Sequence, residues 1–153
     1  YEVTERLRQH LPGCALTGDL ITGFPGETEE EYAQTLELIR RVGFARIHVF
    51  PFSPRTGPPA AAMLGQLSAA VKEQRARELI VLGEEVAYAY LASWIGECSV
   101  VLAEEQIRGR WEGYTPEYIR VTLPPETPVR SGQLIPVRLT GLRAKSMTGE
   151  PLH

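Results

Sequence analysis

The sequence predicts two structural classes in succession, an α/β segment followed by a small all-β barrel. In residues 1–94, two apolar runs of strand length flank a run with helical spacing, which is the order of a parallel β-α-β unit. In residues 95–153, short β-rich runs are separated by Gly, Pro or polar turns at roughly ten-residue intervals. A chain of 153 residues has room for two small domains. We therefore expect a domain boundary at Ser93–Glu97.

The first half of the β-α-β unit has clear end signals. Leu16–Ile21 is predicted to be a buried strand. Thr28 followed by Glu31 is a capping box, in which each side chain satisfies a backbone amide of the other. The predicted helix therefore runs over Glu29–Val42 and ends at Gly43, a residue that readily adopts the left-handed conformation of a helix terminus.

The turn between that strand and that helix is rich in glycine. Gly23, Pro25 and Gly26 force a sharp change of direction, and a glycine backbone lets a ligand approach the main chain closely. The turn lies at the carboxyl end of a strand, where α/β folds usually bind ligands. On the residues alone, a plain connecting loop explains the glycines equally well.

The other elements of the α/β segment follow from the same patterns. We predict an amphipathic helix over Tyr1–Leu11, a second buried strand over Phe44–Phe52, a proline-rich loop over Ser53–Pro59 and a long helix over Leu67–Trp94. Two parallel strands cannot bury both faces of a sheet by themselves. The segment is therefore expected to be part of a larger α/β domain.

The second segment is predicted to be a small five-stranded barrel. Its strands are expected in the five apolar runs, which are Ser99–Ala103, Ile107–Trp111, Tyr118–Leu123, Leu134–Leu142 and a last one near Met147.

Charge is unevenly distributed along the chain. The net charge is −3, yet residues 106–145 carry seven basic side chains against three acidic ones. A locally basic surface is typical of proteins that contact phosphates. No apolar run approaches the roughly 20 residues of a membrane span, so we expect no membrane partner and a cytoplasmic location.

The two cysteines give no sign of chemistry. Cys14 and Cys98 share no metal-type spacing with each other or with the three histidines. We expect both to be small buried hydrophobic residues, and we expect no metal site.

Two long motifs carry a family resemblance. They are Asp-Leu-Ile-Thr-Gly-Phe-Pro-Gly-Glu-Thr-Glu-Glu-Glu-Tyr at 19–32 and His-Val-Phe-Pro-Phe-Ser-Pro-Arg-Thr-Gly-Pro-Pro-Ala at 48–60. With the long helix and the β-rich segment behind them, they resemble the carboxyl-terminal part of the radical-SAM tRNA methylthiotransferases. The resemblance implies that residues 1–94 are part of a TIM-like radical-SAM barrel. It also implies that residues 95–153 are a TRAM domain, an OB-like barrel that binds RNA.

The resemblance also implies an activity. The second motif is most similar to the branch that adds a methylthio group to C2 of N6-threonylcarbamoyladenosine next to the anticodon. The branches acting on isopentenyl-adenosine or on a ribosomal protein remain alternatives. The whole enzyme would use S-adenosylmethionine and [4Fe-4S] clusters, with the tRNA anticodon stem-loop as its partner. The family's three-cysteine cluster motif is absent from this chain, so we expect the chain alone to bind no cluster and to be inactive.

Residue by residue, the resemblance assigns two sets of site residues. The cofactor-binding set lies at the mouths of the two strands and consists of Gly23, Phe24, Gly26, Glu27, Phe50, Phe52, Ser53 and Arg55. The RNA-binding set combines bases with aromatic residues in the barrel and consists of Arg108, Arg110, Trp111, Tyr114, Tyr118 and Arg120.

Several alternatives stay open for these residues. Core packing explains Phe50 and Phe52 equally well, a surface position explains Arg55, and Trp111 is as well suited to filling the barrel. The chain departs from the family pattern at Pro58 and at Pro116-Glu117. A non-catalytic RNA-binding module is a competing function, and the tRNA species and the oligomeric state are left open.

Overall fold

The computed structural model describes residues 1–152. Eleven elements follow in chain order, one of them a short 3₁₀ helix at Pro59–Ala62: α1 Glu2–His10, β1 Thr17–Thr22, α2 Glu29–Val42, β2 Arg46–Pro51, α3 Ala69–Ala92, β3 Cys98–Ile107, β4 Arg110–Tyr114, β5 Arg120–Thr122, β6 Leu134–Arg143 and β7 Ser146–Pro151. No helix in the described part of the chain combines the length and the apolar character that a membrane crossing requires.

The chain forms two compact units. One contains residues 1–10 and 16–87, and the other contains residues 11–15 and 88–152. The domain boundary at Ser93–Glu97 stays a prediction.

The first unit is built on a two-stranded parallel sheet. Strands β1 and β2 pair in parallel with Leu20 opposite Val49, which confirms the predicted β-α-β unit. Their inward side chains pack with helices α2 and α3 around Ile39 and Leu79, both fully buried. Helix α3 approaches β2 closely, because a Cβ atom at Gly83 would lie 2.5 Å from the Ile47 side chain.

The prediction that both strands are buried was wrong for one face of the sheet. Side chains alternate along each strand, and Ile21 and Phe50 are opposite each other on the outward face with 60% and 51% of their surfaces exposed. Residues packed on one face of a pleated strand leave their immediate neighbours on the other. The periodicity of a short apolar run does not say which face a neighbouring layer covers.

The ends of α2 agree with the prediction at both termini. The Glu31 amide donates to the Thr28 hydroxyl at 3.2 Å, and the Thr28 amide donates to the Glu31 carboxylate at 2.9 Å. Gly43 has a left-handed backbone with φ of 58° and donates its amide to the Ile39 carbonyl at 2.9 Å. This helix is therefore specified by nearby residues.

The second unit is a closed five-stranded barrel, as predicted. Its strands follow the order β3-β4-β5-β7-β6, with β5 and β7 parallel and the other neighbouring strands antiparallel. Inward side chains of the barrel form one core, whose buried members are Val101, Ala103, Ile119, Val121, Leu123, Ile135, Val137, Leu139 and Met147.

One predicted barrel strand was misplaced. The run Ile107–Trp111 spans a hairpin turn, because Ile107 ends β3 and Arg110 begins β4 opposite it. The two residues between them, Arg108 and Gly109, both have positive φ angles of 49° and 78°. This is the backbone of a two-residue hairpin turn, which arginine seldom adopts, so the turn signal was weak in the sequence.

The prediction for the cysteines was wrong at Cys98. Its side chain is exposed, and that of Cys14 is half-buried. Cys98 is the first residue of β3, on which the buried positions are Val101 and Ala103. The alternation of the strand therefore puts Cys98 on the outer face of the barrel.

Candidate functional site

The carboxyl ends of the two parallel strands lie side by side in the first unit. Thr22 is opposite Pro51 in the register, and the Phe52 amide donates to the Thr22 carbonyl at 2.8 Å. The structure therefore brings together two segments that the sequence predicted separately, Gly23–Glu27 and Phe50–Ser53. We call these two segments the ligand edge.

Aromatic side chains line the ligand edge. The rings of Phe24 and Phe52 meet edge to face, with centroids 5.2 Å apart and planes at 70°. The ammonium group of Lys72, on α3, lies 5.2 Å from the Phe52 centroid. Phe50 is exposed on the open face of the sheet, so core packing does not explain it. Phe24 and Phe50 are therefore the exposed aromatic side chains of this edge, and such surfaces suit contact with a flat heterocycle.

The glycine turn allows close approach to the main chain. Gly23 and Gly26 have left-handed φ angles of 72° and 85°. The Gly26 amide donates to the Gly65 carbonyl at 2.9 Å, which ties the turn to the segment before α3. Nothing lies within 4 Å of the position that a Cβ atom of Gly26 would take. The turn is therefore held by the hydrogen bond to Gly65 and open on the side where Gly26 lacks a side chain.

The carboxylate of Glu27 is used within the turn itself. It accepts the Gly23 amide at 2.8 Å and lies 3.4 Å from the hydroxyl of the buried Thr22. It also forms an ion pair with the guanidinium of Arg75 on α3, which in addition pairs with Glu29. Only 14% of the Glu27 side chain is exposed. Glu27 therefore shapes the ligand edge and has little surface left for a ligand.

Arg75 was missed by the sequence reasoning. Its side chain is 5% exposed, and its guanidinium also donates to the Glu27 carbonyl at 3.2 Å. The available signal was its position in the helical repeat, four residues after Val71 and four before Leu79 on the apolar face of α3. A charged residue on that face needs a partner of opposite charge.

Burial and pairing shift the pKa values around Arg75. Burial lowers the pKa of Arg75, but the hydrogen bonds that Arg75 donates to the Glu29 and Glu27 carboxylates outweigh burial, so the pKa lies above its ordinary value. The Tyr32 ring lies 4.8 Å from the guanidinium carbon, and the Tyr32 hydroxyl donates to the Glu78 carboxylate at 2.9 Å. Burial and that hydrogen bond raise the pKa of Tyr32. Arg75 is therefore charged and Tyr32 neutral at any physiological pH.

The last two residues of the predicted cofactor-binding set lie in the loop after β2. Ser53 and Arg55 both have exposed side chains. Arg55 stands four positions beyond the end of β2, so the structure gives it a surface position.

The predicted RNA-binding residues lie in the second unit, where two tyrosines form a pair. The ring centroids of Tyr114 and Tyr118 are 5.1 Å apart. Tyr118 is 70% exposed and has a left-handed φ of 62°. On the outer face of the barrel, Tyr114 is opposite Leu102, which in turn is opposite Leu134. Tyr114, which is half-buried, therefore joins the exposed Tyr118 to a row of apolar side chains across β4, β3 and β6.

The arginines of this unit differ in how far they are neutralised. Arg120 donates to the Glu112 carboxylate at 2.8 Å and to Glu105 at 2.9 Å, and the hydrogen bond to Glu112 raises the pKa of Arg120. Arg108 is exposed in the hairpin turn, and Arg110 is half-buried at the start of β4. Arg108 and Arg110 are therefore better placed than Arg120 to meet a phosphate.

Trp111 is placed differently from the tyrosines. Its side chain is half-buried and packs against the core of the barrel. These surroundings suit a residue that fills the barrel.

No metal site is formed by the residues that the structure describes. Within residues 1–152, no group of three or more His, Cys, Asp or Glu side chains is arranged to hold a metal ion.

Comparison with known proteins identifies the family. No known family profile matches the chain. It is 41% identical over 121 residues to the protein named threonylcarbamoyladenosine tRNA methylthiotransferase MtaB of Bacillus subtilis (strain 168), an alignment that covers 76% of this chain and 27% of that protein. This chain belongs to the tRNA methylthiotransferase family.

Relatives named for a different modified adenosine align with a larger share of the chain. Two proteins named tRNA-2-methylthio-N(6)-dimethylallyladenosine synthase are 37% and 36% identical to this chain. The one from Chloroflexus aurantiacus aligns with 95% of the chain, and the one from Moorella thermoacetica aligns with 97%. The chain spans 27% to 34% of the length of these relatives. The similarity therefore identifies the family and not the modified adenosine.

The match among solved structures is weak. A multidomain protein with nucleic acid binding domains from Streptococcus pneumoniae covers 39% of the chain at a TM-score of 0.35 and 15% identity.

Proposed function

We propose that this chain is the part of a tRNA methylthiotransferase that borders the cofactor and binds the RNA. The whole enzyme would add a methylthio group to C2 of N6-threonylcarbamoyladenosine next to the anticodon. The 41% identity to the relative from Bacillus subtilis carries this proposal. The dimethylallyladenosine-modifying activity named for two other relatives is the second candidate.

The first unit supports the cofactor role by its chemistry. We propose that the two parallel strands belong to a TIM-like barrel, and their open face with Ile21 and Phe50 exposed supports this. S-adenosylmethionine, when bound, would supply the radical chemistry of such an enzyme. Gly26, where the side-chain position is open, would let the cofactor come close to the main chain, and Gly23 would supply the left-handed backbone of the turn. Phe24 and Phe52 would offer aromatic surface to its adenine.

The described residues do not fit an iron–sulfur cluster. Cluster ligation requires several thiolates that converge on one site, and the chain has two cysteines, one half-buried and one exposed. Cluster ligands would therefore have to come from outside the described residues.

The barrel supports the RNA role. We propose that it is a TRAM domain and that it contacts the anticodon stem-loop of a tRNA. The exposed hairpin turn carries Arg108, with Arg110 beside it, and both are suited to phosphate contacts. Tyr114 and Tyr118 offer stacking surface to the unpaired bases that such a loop presents.

Salt dependence tests this role. The chain should bind an anticodon stem-loop RNA more weakly as salt increases, because bound phosphates release counterions. Replacing Arg108 and Arg110 together by alanine should weaken binding and reduce the slope of log K against log salt by about 1.4 to 1.8, since each phosphate contact contributes roughly 0.7 to 0.9. Fluorescence anisotropy over a salt series measures the slope.

Two matched variants complete the test. Arg77→Ala removes an exposed arginine of α3 and should leave the slope unchanged. Arg120→Ala should reduce the slope less than Arg108→Ala or Arg110→Ala made singly, because the charge of Arg120 is already paired. Binding that does not respond to salt, or no binding at low salt, would remove the barrel from the RNA interface.

The reaction is tested in the whole enzyme that carries this chain. Reconstituted enzyme is incubated with tRNA carrying either N6-threonylcarbamoyladenosine or N6-dimethylallyladenosine, and the nucleosides are separated by mass spectrometry. Methylthiolation of the first substrate is the expected result. Methylthiolation of the second alone would select the other branch, and no product from either would favour a non-catalytic RNA-binding protein.

A further inference from the structure

We infer that Arg75 is a positioning residue for the ligand edge, and that it acts through Glu27 on the turn Gly23–Gly26. The inference rests on the proposed function, because it assumes that this edge borders S-adenosylmethionine. No motif of the sequence and no relative's name assigns a role to Arg75.

The burial of the Arg75 charge is the first step. Removing a guanidinium from water is costly unless close opposite charges compensate. The Arg75 side chain is 5% exposed and pairs with both Glu27 and Glu29. The exposed pairs on the same unit, such as Arg77 with Glu73, bring no such cost. The two carboxylates therefore hold the Arg75 guanidinium in one place.

The path from Arg75 to the turn is the second step. The Glu27 carboxylate that pairs with Arg75 also accepts the Gly23 amide at 2.8 Å. Gly23 is the first residue after β1, and the same carboxylate lies next to the hydroxyl of Thr22, the last residue of β1. If the Arg75 charge is removed, Glu27 gains freedom to turn to solvent, and the Gly23 amide loses its acceptor.

The link from the turn to the aromatic pair is the third step. Phe24 follows Gly23 directly, and its ring contacts Phe52 from the other strand. Lys72 precedes Arg75 by three residues on α3, packs against Gly23 and reaches over the Phe52 ring. One stretch of α3 thus contacts both strand ends. A shift of that turn moves the ring faces that would meet adenine.

Loss of the Arg75 charge should affect only one of the two substrates, S-adenosylmethionine and tRNA. Arg75 and its partners all lie in the first unit, whereas the residues proposed to meet tRNA lie in the barrel. Loss of the Arg75 charge should therefore weaken the use of S-adenosylmethionine and leave the use of tRNA as it was. A displaced ring loses contacts that the bound cofactor and the transition state share, and the loss of such contacts raises KM.

The test uses the whole enzyme that carries this chain. Arg75→Met keeps much of the side-chain length and removes the charge, and Arg77→Met is the matched control two residues away on the exposed side of the same helix. Steady-state kinetics give KM for S-adenosylmethionine and KM for tRNA separately. We expect Arg75→Met to raise KM for S-adenosylmethionine about tenfold or more, to leave KM for tRNA unchanged, and Arg77→Met to change neither.

Two further variants keep the test valid if Arg75→Met folds poorly. Glu27→Gln keeps the size of the side chain and an acceptor for the Gly23 amide but removes the charge that Arg75 binds, and it should raise the same KM by a smaller factor. Arg75→Lys keeps a positive charge but cannot reach two carboxylates with a planar fork, so its KM should lie between wild type and Arg75→Met.

The outcomes separate the two proposals. If the wild-type enzyme is active but Arg75→Met and Glu27→Gln match Arg77→Met in KM for S-adenosylmethionine, the inference is overturned. It is also overturned if Arg75→Met lowers kcat and melting temperature while both KM values stay unchanged, since that is a purely structural role. If the wild-type protein does not use S-adenosylmethionine at all, the proposed function fails instead.

Discussion

Gly23 and Gly26 share a left-handed backbone but differ in what surrounds them. A Cβ atom at Gly23 would lie 2.5 Å from Cγ of Lys72 and 3.3 Å from its Cβ, whereas a Cβ atom at Gly26 would meet nothing within 4 Å. The conformation alone disfavours any other residue at both positions. At Gly23 the absence of a side chain also makes room for α3 to pack against the turn.

This difference predicts unequal effects of the same substitution. Gly26→Ala should lower the free energy of unfolding by about 1 to 2 kcal/mol, the usual cost of a left-handed alanine. Gly23→Ala should cost more, because Lys72 must also move. Urea denaturation of the two variants measures the difference, and equal losses would mean that α3 does not pack tightly on the turn.

Helix α2 shows how a single element is specified by residues at its two ends. The reciprocal hydrogen bonds of Thr28 and Glu31 satisfy amides of the first turn, and Gly43 closes the last turn. Three glutamates occupy its first turn and two arginines its last, which complements the helix dipole. The start of this helix fixes where Glu27 and Glu29 stand relative to Arg75.

Removal of the cap should therefore destabilise the first unit measurably. Thr28→Ala deletes the acceptor for the Glu31 amide and should cost about 1 kcal/mol of unfolding free energy. Thr35→Ala is a matched control in the same helix, because the Thr35 hydroxyl only donates to the Glu31 carbonyl and alanine favours a helix interior. Thermal unfolding compares the two, and a Thr35→Ala loss as large as that of Thr28→Ala would contradict the capping argument.

At the scale of the whole molecule, each compact unit contains one tyrosine whose neutral form is favoured by the fold. In the first unit, burial and the hydrogen bond to Glu78 raise the pKa of Tyr32. In the second, the Tyr90 hydroxyl donates to the Glu117 carbonyl at 3.0 Å, and burial raises the pKa of Tyr90 from 10.0 to about 12. Neither tyrosine is in the sets proposed to meet a ligand.

These raised pKa values predict a loss of stability in alkali. The folded state retains the tyrosine protons at a pH where the unfolded chain has lost them. Their contribution is therefore complete below pH 10 and is lost as the pH rises from 10 towards about 12 for Tyr90. Tyr90→Phe and Tyr32→Phe should each flatten this decline, and Tyr88→Phe, at an exposed position, should leave it as in the wild type. Urea midpoints measured from pH 8 to 11.5 test this, and parallel curves for all variants would contradict it.

Much of the fold was predictable because it depends on neighbours in the chain. The parallel β-α-β unit, the limits of α2 and the five-stranded barrel were predicted correctly. The hairpin at Arg108-Gly109 was not, because arginine gives no warning of a left-handed backbone. For the candidate site, the sequence predicted residues at both strand ends, but it did not include Arg75, which pairs with Glu27.

The sequence by itself determined the element order, the caps of α2, the basic segment over 106–145 and the motifs that identify the family. Only the tertiary structure decided that Arg75 pairs with Glu27, 48 positions away, that Arg120 is neutralised by Glu105 and Glu112, and that Phe50 and Cys98 face outward. The physical reason is distance along the chain. Caps and turns depend on residues within a few positions, whereas the partner of a buried charge and the exposed face of a strand depend on which distant segments pack together.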